Sequence, residues 1–346
     1  MRGKRRKEEI VCALFFVLLY TMWIGDLVSE DRLYSAWEKR RLAQKPVYSW
    51  EAVTSGSYGK EYETWLVDQF PGRDLWVGLK NRCELLLGKR ELKGIYIGKD
   101  GYLFSENQQI ADWDAIQKKM QEQFGMGVVS RIHVPPAGAV LTEKRPYFVS
   151  FTGSEDLVCE NLSRHQEEEI YYRTDHHWTM LGAYYAYEAW AKEQGLTPLE
   201  LEELNIQVVK EDFLGTHYGK IHYARQPDVI TLYDPGIACE VIYDLGESKV
   251  QGLYQESYLK TEDAYGFFLD GNHGVVQITT EGKEGHLAVL KDSYANCLVP
   301  FLTAHYGRIT VLDPRYIRVD MGTWLADQEV TQVLIVAQDT SQVVFP

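Results

Sequence analysis

Near the C-terminus, apolar β-rich runs alternate with helical ones, and few folds accept that pattern. His286 to Leu290 reads as a strand, Tyr294 to Tyr306 as a helix, and Ile309–Leu312 and Val330–Ala337 as further strands. Such alternation predicts an α/β sheet with largely parallel pairing. Upstream segments fit the same plan. Ala111–Phe124 is helix-like. Gly127–Val134 is an apolar strand stopped by Pro135-Pro136. Thr179–Gln194 is a helix with Thr179 as its cap and Gly195 as its stop. Two helices are expected earlier, Tyr58–Phe70 and Asp74–Leu87, the second opened by Asp74 as N-cap. Gly94–Phe104, GIYIGKDGYLF, reads as a hairpin around Lys99-Asp100-Gly101. Asn205–Gly285 is mixed, with short strands and many turns.

Charge divides the chain unevenly. Residues 1–25 carry five basic side chains (Arg2, Lys4, Arg5, Arg6, Lys7) and two acidic ones, leaving −17 for the remainder of a chain whose total is −14. A body that acidic repels phosphate backbones and argues against nucleic-acid binding. Ile10–Gly25 has no charged residue. A cleaved signal peptide, an uncleaved anchor and a buried N-terminal helix compete for this stretch; no small-x-small cleavage site is evident after Trp23 and the adjacent basic cluster argues against burial, which favours the anchor. The expected organisation is a basic tail and transmembrane anchor over 1–28, a polar stalk over 29–57 and a folded body over 58–346. The positive-inside rule places the body outside the membrane. Five cysteines, Cys12, Cys83, Cys159, Cys239 and Cys297, are scattered without a CxxC pair, so a structural zinc site is not expected. Neither GxGxxG after a strand nor GxxxxGK[ST] is present, so no nucleotide cofactor is expected.

Two segments can carry chemistry. In HLAVLKDSYANCLVPF a buried strand runs into Ser293 at the start of a helix, which sets the hydroxyl at the carboxyl edge of a sheet and its amide at the positive end of a helix dipole. Ser293 or Asp292 can equally serve as a helix cap. In YYRTDHHWT, Asp175 and His177 stand two residues apart, so in an extended loop they face the same side, as a carboxylate orienting a histidine must. His176 then points elsewhere and can hold the loop. Helix capping by Asp175, a metal site built from Asp175 and both histidines, and a purely structural cluster are the competing readings. Together the two segments supply a nucleophile, a base and an orienting acid. Weaker candidates for holding substrate or an oxyanion are His176; Asn296, one turn past Ser293; Gln338, after the last strand; and Arg315, as a contact for a carboxylated sugar or for a carbonyl; His217 in FLGTHYGK is a candidate for lining a substrate loop. Each has a bland alternative as loop, cap or salt bridge.

These segments resemble the DHHW protein family: Asp175-His176-His177-Trp178 with Gly182–Tyr187, DQFPGRDLW over Asp68–Trp76, the Gly94–Phe104 hairpin, DFLGTHYGK and KDSYAN, in that family's order. That family is in turn similar to the alginate O-acetylation proteins, which are SGNH-hydrolase-like and circularly permuted. The resemblance implies a three-layer α/β/α sheet and a triad of Ser293 as nucleophile, His177 as base and Asp175 as acid. Lys291 departs from the glycine of the usual Gly-Asp-Ser motif, and Gln338-Asp339 stands where an asparagine is usual. The expected function is O-acetyl transfer onto an exported or cell-envelope polysaccharide, with a membrane-bound O-acyltransferase as acyl supplier. A carbohydrate esterase or a non-catalytic polysaccharide-binding scaffold of the same fold are the alternatives.

Overall fold

The computed structural model describes residues 2–106, 111–248, 250–317, 320–340 and 342–344. They divide into two compact units: residues 1–89 with 221–223, and residues 90–220 with 224–346.

The first unit opens with helix α1 (Arg2–Val28), which contains an 18-residue window, Glu8–Gly25, of mean hydropathy 1.7. At about 1.5 Å per residue it is long and apolar enough to cross a membrane. Helices α2 (Ser57–Gln69) and α3 (Arg73–Leu86) match the expected periodic stretches. Asp74 is not the cap, however: Gly72, at φ 67°, opens α3 with no side-chain cap, and Asp74 lies within the first turn. Within the stretch read as a stalk, Tyr34–Ser35 pairs with Arg40–Arg41. The buried Asp68 carboxylate accepts both Arg40 Nη atoms, at 2.8 and 2.6 Å, and the Ala43 amide at 2.9 Å. That fork holds the chain against the end of α2 and keeps Asp68 down at about 2.

The second unit is a mixed α/β structure around a six-stranded sheet, built from β1 (Val129–Val134), β2 (Cys239–Tyr243), β3 (Val275–Thr280), β4 (His286–Lys291), β5 (Arg308–Leu312) and β6 (Gln332–Gln338), in the order β2-β3-β5-β4-β6-β1. Pairing is parallel from β5 through β4 and β6 to β1, and antiparallel between β5 and β3 and between β3 and β2. The expected parallel core is therefore present, with an antiparallel edge from the stretch whose signals were mixed. All six residues of β4 are buried, as a strand covered on both faces requires. Leu287 and Val289 join Ile132, Leu334 and Val336 in one cluster, with Trp178, Ala183 and Trp190. Ala288 and Leu290 join Val333 and Ile335 in another, with Trp113, Met120 and Leu325. This alternation is the period-2 signature of a strand, expressed on two apolar faces.

Three helices matter for the site. The first, α4 (Trp113–Phe124), supplies Trp113 and Met120 to the second cluster. The next, α5 (Leu157–Arg164), packs on α6 (Met180–Glu193). Thr179 caps α6 by accepting the Gly182 amide, and Gly195 at φ 71° ends it, both as expected. The hairpin also forms, Ile95–Ile97 against Leu103–Phe104, with Asp100 taking the left-handed turn position. The expected helix Tyr294–Tyr306 does not form as one piece. A 3-10 turn, Ser293–Cys297, is followed by a short helix, Val299–Leu302, with Pro300 in its first turn. Proline has no amide to bond backward, so it opens a new helix more readily than it continues an old one.

Candidate active site

Strand β4 ends at Lys291, and the backbone turns at Asp292. The buried Asp292 carboxylate accepts the Tyr294 amide at 3.0 Å and the Gln338 amide at 2.8 Å, while its own amide donates to Val336 O. The turn is thereby tied to the end of β6, and Ser293 sits half-buried at the carboxyl edge of the sheet. The capping role foreseen for Asp292 is real. The dipole expected from a long helix at Ser293 shrinks to that of one 3-10 turn, for the reason given by Pro300.

The second segment is a tight loop closed by Tyr171 pairing with Trp178 and by the Tyr172 amide donating to His177 O. Inside it, the buried Asp228 carboxylate accepts the Arg173 and Thr174 amides, each at 2.7 Å, and the Thr174 hydroxyl at 2.6 Å. Burial raises Asp228 to about 6 despite these donors. Trp178 is fully buried and donates Nε1 to Tyr294 O at 2.8 Å, which joins this loop to the Ser293 turn.

The two segments meet. Asp175 Oδ1 accepts the His177 amide at 2.9 Å and lies 2.6 Å from His177 Nδ1. His177 Nε2 lies 2.8 Å from Ser293 Oγ. Asp175 Oδ2 accepts the Thr216 amide at 2.7 Å. With the carboxylate on Nδ1, the imidazole carries its proton there and offers Nε2 as acceptor to the serine hydroxyl. Burial works against a charge on Asp175, but the two neighbouring histidines and these donors overcome it and hold the carboxyl well below its usual range. The Tyr265 ring stacks on the His177 imidazole, with centroids 3.8 Å apart and planes within 9°, and its hydroxyl donates to Ser293 O. Imidazole, carboxylate and hydroxyl are thus held from three sides.

The remaining candidates fall on either side of this line. His176 is half-buried beside His177; its Nδ1 is 2.7 Å from Thr216 Oγ1, so it braces the loop as expected. Asp175, His176 and His177 offer ligand atoms within 4.8 Å of one another, the set that could hold a metal ion. Both oxygens of Asp175 and both nitrogens of His177 are engaged, so an ion there would have to break the contacts to Ser293 and Thr216. Asn296 is buried and used at both ends: its carbonyl accepts from Lys291 Nζ at 2.7 Å and its amide donates to Gly271 O at 2.8 Å. Arg315 forks onto buried Asp313, at 2.8 and 2.6 Å, which is the salt-bridge alternative. Gln338 lies at the end of β6, its amide on Asp292. His217 is buried with Nε2 2.9 Å from Ser105 Oγ, and burial pushes it down to about 4.

Several residues of the site carry no such signal in the sequence. Lys291 stands out there only as a departure from glycine. It is buried, bonded to Asn296 and to Asn272 Oδ1 at 3.0 Å, with Asp313 Oδ2 at 3.4 Å, and burial lowers it to about 8. Asn272 Oδ1 also accepts from Arg315, so the two cations hold the carbonyl end of that amide. FLGTHYGK drew attention to His217, whereas the residues touching Asp175 are Gly215 and Thr216. Tyr265 lies in a stretch whose pattern carried no signal.

Comparison with known proteins bears on this chain. A DHHW family protein from Eubacterium siraeum is similar in structure at a TM-score of 0.59 and 26% identity, covering 72% of this chain and 91% of that one. PatB1 of Bacillus cereus, solved with a sulfonyl adduct, is similar at a TM-score of 0.55 and 17% identity, covering 70% of this chain and 94% of its own. A second PatB1 structure is similar at 0.54 and 19%, covering 69% and 94%. Among curated proteins no sequence matches. The DHHW protein family model spans residues 153–312. Over that stretch, which brings Asp175 and His177 to Ser293, the chain matches the DHHW protein family.

Proposed function

We propose that this chain is a serine-type O-acyltransferase that acylates hydroxyl groups of an exported or cell-envelope polysaccharide. The observation that carries the proposal is the unbroken line from Asp175 through His177 Nδ1 and Nε2 to Ser293 Oγ. Ser293 Oγ attacks the acyl carbonyl and passes its proton to His177 Nε2, while Asp175 holds the imidazolium through Nδ1. The bond to the donor's leaving group breaks, that group takes the proton from His177, and the acyl group stays on Ser293 as an ester. A sugar hydroxyl then attacks the ester, gives its proton to His177, and the bond to Ser293 breaks, restoring the serine. The Ser293 amide is the donor assigned to the developing oxyanion.

The acceptor class rests on the motif order shared with the alginate O-acetylation proteins. A three-layer α/β/α arrangement is supported by the burial of both faces of the sheet. In this reading α1 is a membrane anchor with its basic end in the cytoplasm, and a membrane-bound O-acyltransferase supplies acyl groups to the outer side.

The test uses the full-length protein in nanodiscs with a chromogenic acetyl ester, beside Ser293→Ala. Acetate release by the wild type alone supports the nucleophile, and acetylated oligosaccharide on adding acceptor distinguishes transfer from hydrolysis. If both proteins are inert and a sulfonyl fluoride leaves Ser293 unmodified, the triad does not operate.

A further inference from the structure

Helix α3 buries one side and exposes an unusual other. Its inward side carries Gly78 and Asn81, both buried, and Asn81 donates to Ile221 O at 2.6 Å. Its outward side carries Leu75, Leu79 and Leu86, which are 73%, 50% and 87% exposed, and Leu87 follows at 88%. At 100° per residue, positions 75, 79, 82 and 86 fall within about 60° of one another, so three leucines share one stripe. Exposed Arg82 lies at one edge of that stripe; exposed Lys80 lies about 100° beyond Leu79, its Nζ 3.1 Å from Glu84. Lys89 and Arg90 follow the helix, and over residues 73–90 five basic side chains face two acidic ones in a chain of net charge −14.

An exposed leucine stripe with an arginine at its edge is the pattern of a helix lying in a lipid interface. Aliphatic side chains enter the acyl boundary, while lysine and arginine reach up to phosphates. The position of α3 agrees. The apolar window of α1 ends at Gly25, and a methyl placed on Gly25 would lie 3.5 Å from Pro71 Cγ, at the entry to α3. The helix therefore begins beside the end of the candidate span.

We propose that α3 lies on the bilayer surface with Leu75, Leu79 and Leu86 in the lipid and Arg82 at anionic headgroups, while Lys80 and Lys89 remain paired with Glu84, at 3.1 and 2.8 Å. This rests on the reading of α1 as an anchor. It gives the first unit a second attachment to the bilayer beside α1.

The experiment uses the full-length chain with Cys12→Ser, so that Cys83 on α3 is the remaining exposed thiol. NBD is attached there and the protein is reconstituted in vesicles of phosphatidylcholine with and without phosphatidylglycerol. Brominated phosphatidylcholine is expected to remove most of the NBD emission, more so with the anionic lipid. Combining Leu75→Gln, Leu79→Gln and Leu86→Gln should restore it, while carbonate-resistant retention in the vesicles persists. Retention with no quenching overturns the proposal and leaves the anchor standing. Blue-shifted emission without quenching overturns it too, since protein and not lipid then covers the face. Loss of the wild type from the vesicles overturns the anchor reading, and this proposal with it.

Discussion

Gly215 is the position where a single methyl group tests the proposed site. Its backbone passes so close to Asp175 that a Cβ placed there would lie 2.2 Å from Asp175 Cβ, 2.4 Å from Oδ2 and 2.7 Å from Cγ. Carbon atoms need about 3.5–4.0 Å, so Gly215→Ala must open a gap of roughly 1 Å or more. The Asp175 carboxylate is the lighter side of the contact and yields first, because Gly215 is held by its amide on Thr174 Oγ1 and by the Thr216 amide that follows. Displaced by roughly 1 Å, Oδ1 moves from 2.6 Å to beyond hydrogen-bond reach of His177 Nδ1. Overpacking of this kind costs about 1–3 kcal/mol of stability. Loss of the orienting carboxylate lowers turnover by about 10⁴ in the Ser-His-Asp template, so a fall of 10³–10⁴, roughly 4–5 kcal/mol, is expected here. The assay is the rate at which a sulfonyl fluoride modifies Ser293, followed by intact mass, with Ser293→Ala as blank and circular dichroism to verify folding. Gly215→Ala should fall toward the rate of Asp175→Asn. A folded Gly215→Ala protein modified at the wild-type rate would refute the idea that Asp175 tunes His177.

Two further outcomes follow from the charges. Burial lowers His217 to about 4, so between its unfolded value of about 6.5 and that point the unfolded chain binds the extra proton and stability falls as pH drops. His217→Gln should flatten this limb, worth at most about 3 kcal/mol, in urea titrations at a series of pH values. Asp68 is lowered by its fork with Arg40, so its contribution is present above an unfolded value of about 3.9 and is lost as pH falls toward 2. Asp68→Asn should cost about 1–2 kcal/mol at neutral pH, since Arg40 is partly exposed, and should remove that acid limb. A mutant that keeps the wild-type midpoint would show that the fork contributes nothing.

What sequence alone determined here is local. The strand-helix alternation, the cap at Thr179, the stop at Gly195 and the shared side of Asp175 and His177 depend on neighbours a few residues away, and periodicity and capping report such neighbours directly. The uncharged run in α1 is legible for the same reason. The meeting of His177 with Ser293, 116 residues apart, belongs to the tertiary structure, because it follows from β4 lying beside β6 and from Trp178 locking onto Tyr294. The break after Cys297 is local as well: the apolar pattern continues through Pro300, but the missing proline amide marks the break in the sequence itself. Tyr265, Gly215 and Thr216 carry no spacing signal, since what sets their role is which surface they are folded against. Lys291 shows the same limit most plainly. In a strand it reads as an interruption; in the fold three oxygen-bearing side chains converge on it, and convergence is a property of three dimensions.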